Sequence, residues 1–222
     1  MDFQKEKTMK NKNYFIAVEG GEGTGKSTFV RLMAERLKKK GYNVVITREP
    51  GGTPLGEKIR DVILEEDSIS PEVESLLFIA ARRQHIEKVI MPALDGESPT
   101  VVLCDRYTLS NEVYQGYVIN GQRGARLQRV MNELCGNALQ PDITFLLDCD
   151  PVIALNRIQK NNREKNRFDE RSVEWHLKVR EGYLKLLDPK TGCILNVSKN
   201  DPSIVVAEAL NKFEEKEKEN TL

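Results

Sequence analysis

The sequence predicts an α/β protein built as a doubly wound, mostly parallel sheet with helices on both faces. Three observations lead there. Short apolar runs at Tyr14–Val18, Asn43–Thr47, Thr100–Cys104, Ile143–Asp148 and Cys193–Val197 are rich in Val, Ile, Leu and Phe, without clean polar alternation. Parallel strands covered on both faces read this way. Amphipathic segments separate the runs, and a glycine-rich turn follows the first of them directly.

Taken in order, residues 1–12 are polar and are expected to form a flexible extension or an expression remnant, leaving a single domain over 13–213. After Lys26, the residues Phe29, Met33 and Leu37 recur at four-residue spacing, and Gly41 offers a helix stop. Val73, Leu76, Leu77, Ala80, Val89 and Ile90 predict a long helix from Glu72 to Leu94, ending near Pro92. Helices are also expected at Val152–Lys160, Ser172–Leu187 and Ser203–Glu217. The tail at 214–222, "EEKEKENTL", mixes signs and reads as the solvated, fraying end of a helix.

Composition narrows the class. A chain of 222 residues suits one core, and 34 basic against 34 acidic residues give no bulk attraction to DNA or RNA. Cys104, Cys135, Cys149 and Cys193 are scattered without a CxxC pair, which favours free thiols in a reducing compartment over zinc or disulfides. No segment approaches the ~18 apolar residues of a membrane span, and the start has no apolar core of a leader. A cytoplasmic, soluble protein with no nucleic-acid or membrane partner is expected.

The turn "VEGGEGTGKST" carries the first chemistry. Gly20, Gly21, Glu22, Gly23, Thr24, Gly25, Lys26 and Ser27 fit G-x-x-x-x-G-K-[ST] between a strand-like and a helix-like run, with Thr28 following. Glycines let backbone N–H groups turn inward, and the next helix adds its positive end. Lys26 should reach the β- and γ-phosphates of a nucleoside triphosphate, and the Ser27 hydroxyl should hold Mg²⁺. Two carboxylates, Glu19 and Glu22, sit oddly beside an anion cradle, and no arginine in the turn balances them. Arg48 ends the second strand before the sharp break Glu49-Pro50-Gly51-Gly52, at the sheet edge that faces the ligand crevice. Asp105 ends the third, placed like the acid that supports Mg²⁺ in phosphate-loop proteins, with Arg106 beside it.

Together "VEGGEGTGKST", "TREPGG", "FIAAR" and "DRYTLSNEVYQG" closely resemble bacterial thymidylate kinase, over about Tyr14 to the last helix. The resemblance implies the nucleoside-monophosphate-kinase form of the phosphate-loop fold, with five parallel strands. It implies transfer of the γ-phosphoryl group of ATP to dTMP with Mg²⁺, in a homodimer. It also implies that Arg48 and Arg106 hold the acceptor phosphate, that Phe78 stacks on thymine and that Arg82 hydrogen-bonds the base. Ser110, Asn111, Tyr114 and Gln115 fall in the acceptor-binding segment, with Tyr114 placed to crowd out a 2′-hydroxyl. Glu22 would face the acceptor sugar and metal-bound water, whereas Glu19 would orient the turn or a hydrated Mg²⁺. The residues agree: Phe78 and Arg82 are four apart and share a helix face. A guanidinium can donate to a carbonyl that cytosine would replace with an amino group.

The segment Arg157 to Arg171, "RIQKNNREKNRFDER", holds six basic and three acidic residues. It resembles the lid of the subtype whose phosphate loop lacks an arginine, and in which a lid arginine stabilises the transferring group. Arg163 and Arg167 are the two catalytic candidates, beside Lys26, Arg106 and Glu22. A phosphate monoester is largely ionised near neutral pH, with a second pKa about 6, so no strong general base is required. His85 and His176 fall outside every motif and read as structural. Val113, Asn166 and Asp169 depart from the family pattern, and the two extra methyls of Val113 are expected to tighten the sugar pocket or shift its helix. Two rival readings remain at this point: a kinase for another nucleoside monophosphate or deoxynucleoside, and a non-enzymatic nucleotide switch or nucleic-acid-dependent ATPase.

Overall fold

In the computed structural model, residues 13–66, 68–136, 139–160 and 166–219 are described. The expected extension at 1–12, the last three residues of the tail and Arg163 lie outside them.

The predicted strands form one sheet: β1 (Tyr14–Glu19), β2 (Asn43–Arg48), β3 (Thr100–Asp105), β4 (Ile143–Asp148) and β5 (Gly192–Asn196). Their order is β2-β3-β1-β4-β5, and every neighbouring pair is parallel. Residues of β1 alternate between two cores. Tyr14, Ile16 and Val18 join Phe29, Met33 and Leu37 of α1 (Lys26–Lys39) on one face. Phe15 and Ala17 meet Ile86, Ile90 and Tyr107 on the other. Both faces are covered, which explains the lack of alternation in the sequence.

The remaining helices are α2 (Pro54–Glu65), α3 (Pro71–His85), α4 (Thr108–Asn111), α5 (Val118–Gly136), α6 (Pro151–Lys160), α7 (Val173–Leu186) and α8 (Pro202–Glu219). The long helix expected from Glu72 to Leu94 is present, but a π-helical turn at Ile86–Ile90 interrupts it before the final turn Met91–Leu94. Another π-helical stretch, Glu112–Tyr117, joins α4 to α5, which itself bends at Asn120 and Gly121. The shift of period at Glu112–Tyr117, together with exposed Leu127 and Val130, breaks the apolar stripe of the α4–α5 region, and exposed Leu55 and Val62 blur that of α2. Arg157 and Lys160 belong to α6, in line with the helix expected over Val152–Lys160, so the segment read as a lid begins within that helix. Helix α8 runs unbroken to Glu219, and Glu214 pairs with Lys40 while the Tyr42 hydroxyl donates to Glu217, so this end is docked rather than fraying.

The register aligns the carboxyl ends of the strands: Arg48 pairs with Asp105, Val18 with Asp105, and Glu19 with Leu146. The charged residues that close β1, β2 and β3 therefore gather at one sheet edge, around the central strand.

Candidate active site

The turn after β1 wraps the start of α1. Gly23 has φ 70, and a Cβ there would lie 2.3 Å from the Ala154 carbonyl oxygen, so backbone geometry and crowding both demand glycine. No acidic residue occupies the first turn of α1, leaving its N-terminal amides to an anion. Lys26 is buried, with Nζ 2.7 Å from the Gly21 carbonyl and 3.1 Å from that of Gly20. Burial, helped by nearby Arg106, pushes its ammonium down to about 8, against the pull of Asp105, Glu22 and Glu19.

Ser27 Oγ donates to Asp105 Oδ2 at 3.3 Å, and both residues face a cavity of about 810 Å³. A hydroxyl and a carboxylate converging on open space fit a hard cation that keeps most of its water, as Mg²⁺ does. When bound, the cation would screen the phosphate charge.

Arg106, expected from sequence on the acceptor side, adopts φ 69, a left-handed conformation that costs a non-glycine residue about 1–3 kcal/mol. Its amide donates to the Val18 carbonyl, and this aims the guanidinium back under the turn. There Nη1 donates to Gly20 O, Ser110 Oγ and the Tyr183 hydroxyl at 3.0, 3.2 and 3.0 Å, while Nη2 meets Glu22 Oε1 at 2.8 Å. The Tyr114 hydroxyl donates to the other oxygen of Glu22 at 2.7 Å. Burial opposes ionisation of Glu22, but Arg106, Lys26 and the Tyr114 hydrogen bond outweigh it and hold the carboxyl below its usual range. The loop carboxylate is thus balanced, by an arginine some eighty residues away in sequence.

Glu19 is different. It is fully buried, accepts from the Tyr107 and Ser110 amides and from Ser110 Oγ, and does not line the cavity. Burial pushes its carboxyl upward. It ties the segment after β3 to β1.

Of the acceptor residues expected from sequence, Arg48, Phe78, Arg106, Ser110, Tyr114 and Gln115 line the cavity, while Arg82 and Asn111 lie behind its wall. Arg82 is 1% exposed, with Nε on Glu49 Oε2 at 2.7 Å and Nη1 on Asn132 Oδ1 at 2.5 Å. His85 completes this buried network between Glu49 and Thr47, in keeping with a structural histidine. His176 is buried beside Glu22, its Nδ1 3.9 Å from Oε2. Cys104 and Cys149 are buried free thiols and Cys193 is a half-buried one.

Val113 does not face the cavity. It packs in the core with Val179 and Tyr183, and a Cβ on Gly182 of α7 would lie 3.2 Å from Val113 Cγ1. Its extra methyls therefore fill space above a glycine rather than narrow the sugar pocket. Val113→Ala should cost roughly 1–3 kcal/mol by cavity formation while leaving KM for the acceptor within about two-fold, read by thermal denaturation and steady-state kinetics.

The chain matches the family model for thymidylate kinase over residues 18–209. It belongs to the thymidylate kinase family. The thymidylate kinase of Clostridium novyi is 41% identical over 208 residues, covering 91% of this chain and 98% of that protein. That of Staphylococcus epidermidis is 43% identical over 188 residues, covering 84% and 89%. The crystal structure of thymidylate kinase from Ehrlichia chaffeensis superposes with a TM-score of 0.72 at 31% identity, covering 91% of this chain and 98% of that one. As a thymidylate kinase, the protein transfers the γ-phosphoryl group of ATP to dTMP.

The structure brings to this cavity, or against its lining, three residues that the sequence did not mark. Arg60 of α2 lines the cavity near Arg48, with Nη1 on the Pro50 carbonyl at 3.1 Å. A local signal existed, because Thr53-Pro54 begins a capped helix whose Thr53 side chain accepts from the Gly56 amide. Phe168 also lines the cavity and stands edge-on to Tyr114. Tyr183 bonds Arg106 from α7, with no motif around it to mark it.

Proposed function

We propose that the reaction runs with both nucleotides in this single cavity, the triphosphate held by the turn Gly20–Thr28 and the dTMP phosphate by Arg48 and Arg106. The observation that carries this reading is convergence: Lys26, the N-terminus of α1 and three arginines, Arg48, Arg60 and Arg106, line one crevice, with Lys26 Nζ and Arg106 Nη1 meeting at the Gly20 carbonyl. Phe78 would stack on the base, and Tyr114, pinned by Glu22, would close the space beside the sugar. Ser27 and Asp105 would hold Mg²⁺. Lacking any histidine or unpaired carboxylate at the acceptor end of the described cavity lining, the site relies on positioning and on cationic screening of an acceptor that is already ionised. A coupled ADP-release assay with dTMP, dUMP, UMP, CMP, AMP, GMP and thymidine tests it, and any better acceptor than dTMP would sink the substrate assignment.

The arginine absent from the turn is supplied by the basic segment after α6. Arg167 is committed to Glu74 of α3, which favours Arg163 as the group that screens the transferring phosphoryl. Arg163→Ala should therefore lower kcat by about 10²-fold, whereas Arg167→Ala should act mainly on KM for dTMP. The reverse split in steady-state kinetics would exchange the roles.

A homodimer is supported by exposed Leu55 and Val62 on α2, Val73 and Leu76 on α3, and Leu127, Val130 and Leu134 on α5, helices that pack side by side. Sedimentation would show a species of twice the chain mass. A cytoplasmic location is in keeping with the reduced thiols, and among the described residues no helix is long and apolar enough to cross a membrane.

A further inference from the structure

Glu74 occupies the first turn of α3, where an exposed carboxylate would be an ordinary response to the helix dipole. It is not exposed. Its residue is 8% accessible, and its two oxygens serve two different parts of the chain. Oε1 accepts from Gln115 Nε2 at 2.7 Å, and Oε2 accepts from Arg167 Nη2. A carboxylate can only accept, so it fixes which end of the Gln115 amide faces it. Gln115 Oε1 is then turned to Asn111 Nδ2 at 3.0 Å. The line Asn111–Gln115–Glu74–Arg167 joins the acceptor wall to the turn at 166–171. Two buried polar atoms at its ends, Asn111 Oδ1 and Arg167 Nε, have no hydrogen-bond partner among the described residues.

The far end of this line is also mechanically linked to the cavity. Arg167 Cζ lies 4.7 Å over the Phe168 ring. Phe168 and Trp175 both pack against Tyr114, with ring centroids 5.8 and 5.5 Å away. Glu74 also precedes Phe78 by four residues and so shares its helix face. The charge on Glu74 thus holds three features of the acceptor site in one arrangement: the Gln115 amide, the Phe168–Tyr114 contact and the face that carries Phe78.

We propose that Glu74 is a positioning residue for phosphoryl transfer, coupling occupancy of the acceptor site through Gln115 and Arg167 to the packing of the 166–171 turn. The proposal rests on the reading of this cavity as the dTMP site. Arg167 is then a strut on the acceptor side, and its contribution is felt in how tightly dTMP is held rather than in the chemistry on ATP.

A double-mutant cycle with a built-in optical reporter tests it. Trp175 is the only tryptophan of the chain, so its fluorescence reports the 166–171 turn and Tyr114 directly. In the wild type, dTMP should change the Trp175 signal. Glu74→Gln and Arg167→Gln should each raise KM for dTMP roughly ten-fold, with KM for ATP and kcat within about three-fold, and should abolish that signal. The double variant should be no worse than the worse single one, and Arg167→Lys should restore most of the response. Additive losses, equal effects on both substrates, or a Trp175 response that is the same in wild type and variants would overturn the coupling. Should Glu74→Gln prove unstable by thermal denaturation, Arg167→Gln and Gln115→Leu, singly and combined, supply the same cycle. The acceptor panel on the wild type separately judges the dTMP reading, so failure of one is distinguishable from failure of the other.

Discussion

Replacing Arg106 with alanine is expected to lower kcat/KM by about 10³-fold and to destabilise the fold by roughly 3–5 kcal/mol. Both losses have one origin. The guanidinium is the only cation in direct contact with Glu22 among the described residues, and it ties together the Gly20 carbonyl, Ser110 and Tyr183. Without it a buried carboxylate is left unpaired, and the geometry of the phosphate turn loses its clamp from β3. For a chain of this size the midpoint of thermal unfolding should drop by about 6–20 °C. Arg106→Lys keeps the charge but cannot reach four acceptors spread around a planar fork, so it should recover part of the stability and little of the activity.

The pH dependence follows from Glu22. In the wild type its carboxyl lies below the ordinary value of 4.5, so its contribution is present above that value and is lost as pH falls through the depressed one. Removing Arg106 removes the largest of the influences that hold the carboxyl down, so the carboxyl moves upward. The folded variant then binds more protons than the folded wild type as pH falls, which offsets part of its loss of stability. The deficit of Arg106→Ala should accordingly shrink when unfolding is measured near pH 5 rather than pH 7. A deficit that is constant across that range would show that Glu22 is not the group left exposed to burial.

The second large effect is at Lys26. Lys26→Ala should reduce turnover by at least about 10²–10³-fold while leaving dTMP binding near that of the wild type, because its Nζ is held on the Gly20 and Gly21 carbonyls of the phosphate turn. Loss of dTMP binding with normal turnover would contradict the assignment. Its ammonium adds a second signature. With the folded value at about 8 against 10.5, the unfolded chain binds more protons between those limits, so Lys26 makes apo-protein stability rise with pH across that window. A triphosphate favours the charged form. ATP affinity should therefore fall as pH rises beyond about 8, with proton uptake on binding detectable by calorimetry in buffers of different ionisation enthalpy. Lys26→Arg should bind ATP without that uptake.

Legibility of the site tracks distance along the chain. The turn Gly20–Ser27 was readable because contiguous residues build it and the function is carried largely by their backbone. Arg48 and Asp105 were readable because a strand end is a place in the fold as well as in the sequence. The helix face shared by Phe78 and Arg82 was readable from a four-residue spacing, but its depth was not. Whether a residue on that face reaches the cavity or stops behind the wall depends on Glu49 and Asn132, which approach from elsewhere. The α4–α5 region escaped because a π-helical turn and exposed apolar side chains blur the period on which recognition depends, and α2 carries exposed Leu55 and Val62.

By itself the sequence determined the parallel α/β order, the glycine-rich turn after the first strand, the family and the arginines that close the neighbouring strands. All of these are written in local pattern: apolar runs, glycine spacing and short motifs. Only the tertiary structure decided the fate of the carboxylates. It gave Glu22 to Arg106 and Tyr114, folded Glu19 over the start of α4, turned Val113 away from the pocket onto Gly182, and set Glu74 between Gln115 and Arg167. A buried charge is governed by the partners brought within about 3 Å of it, and in this chain those partners arrive from 41 to 93 residues away.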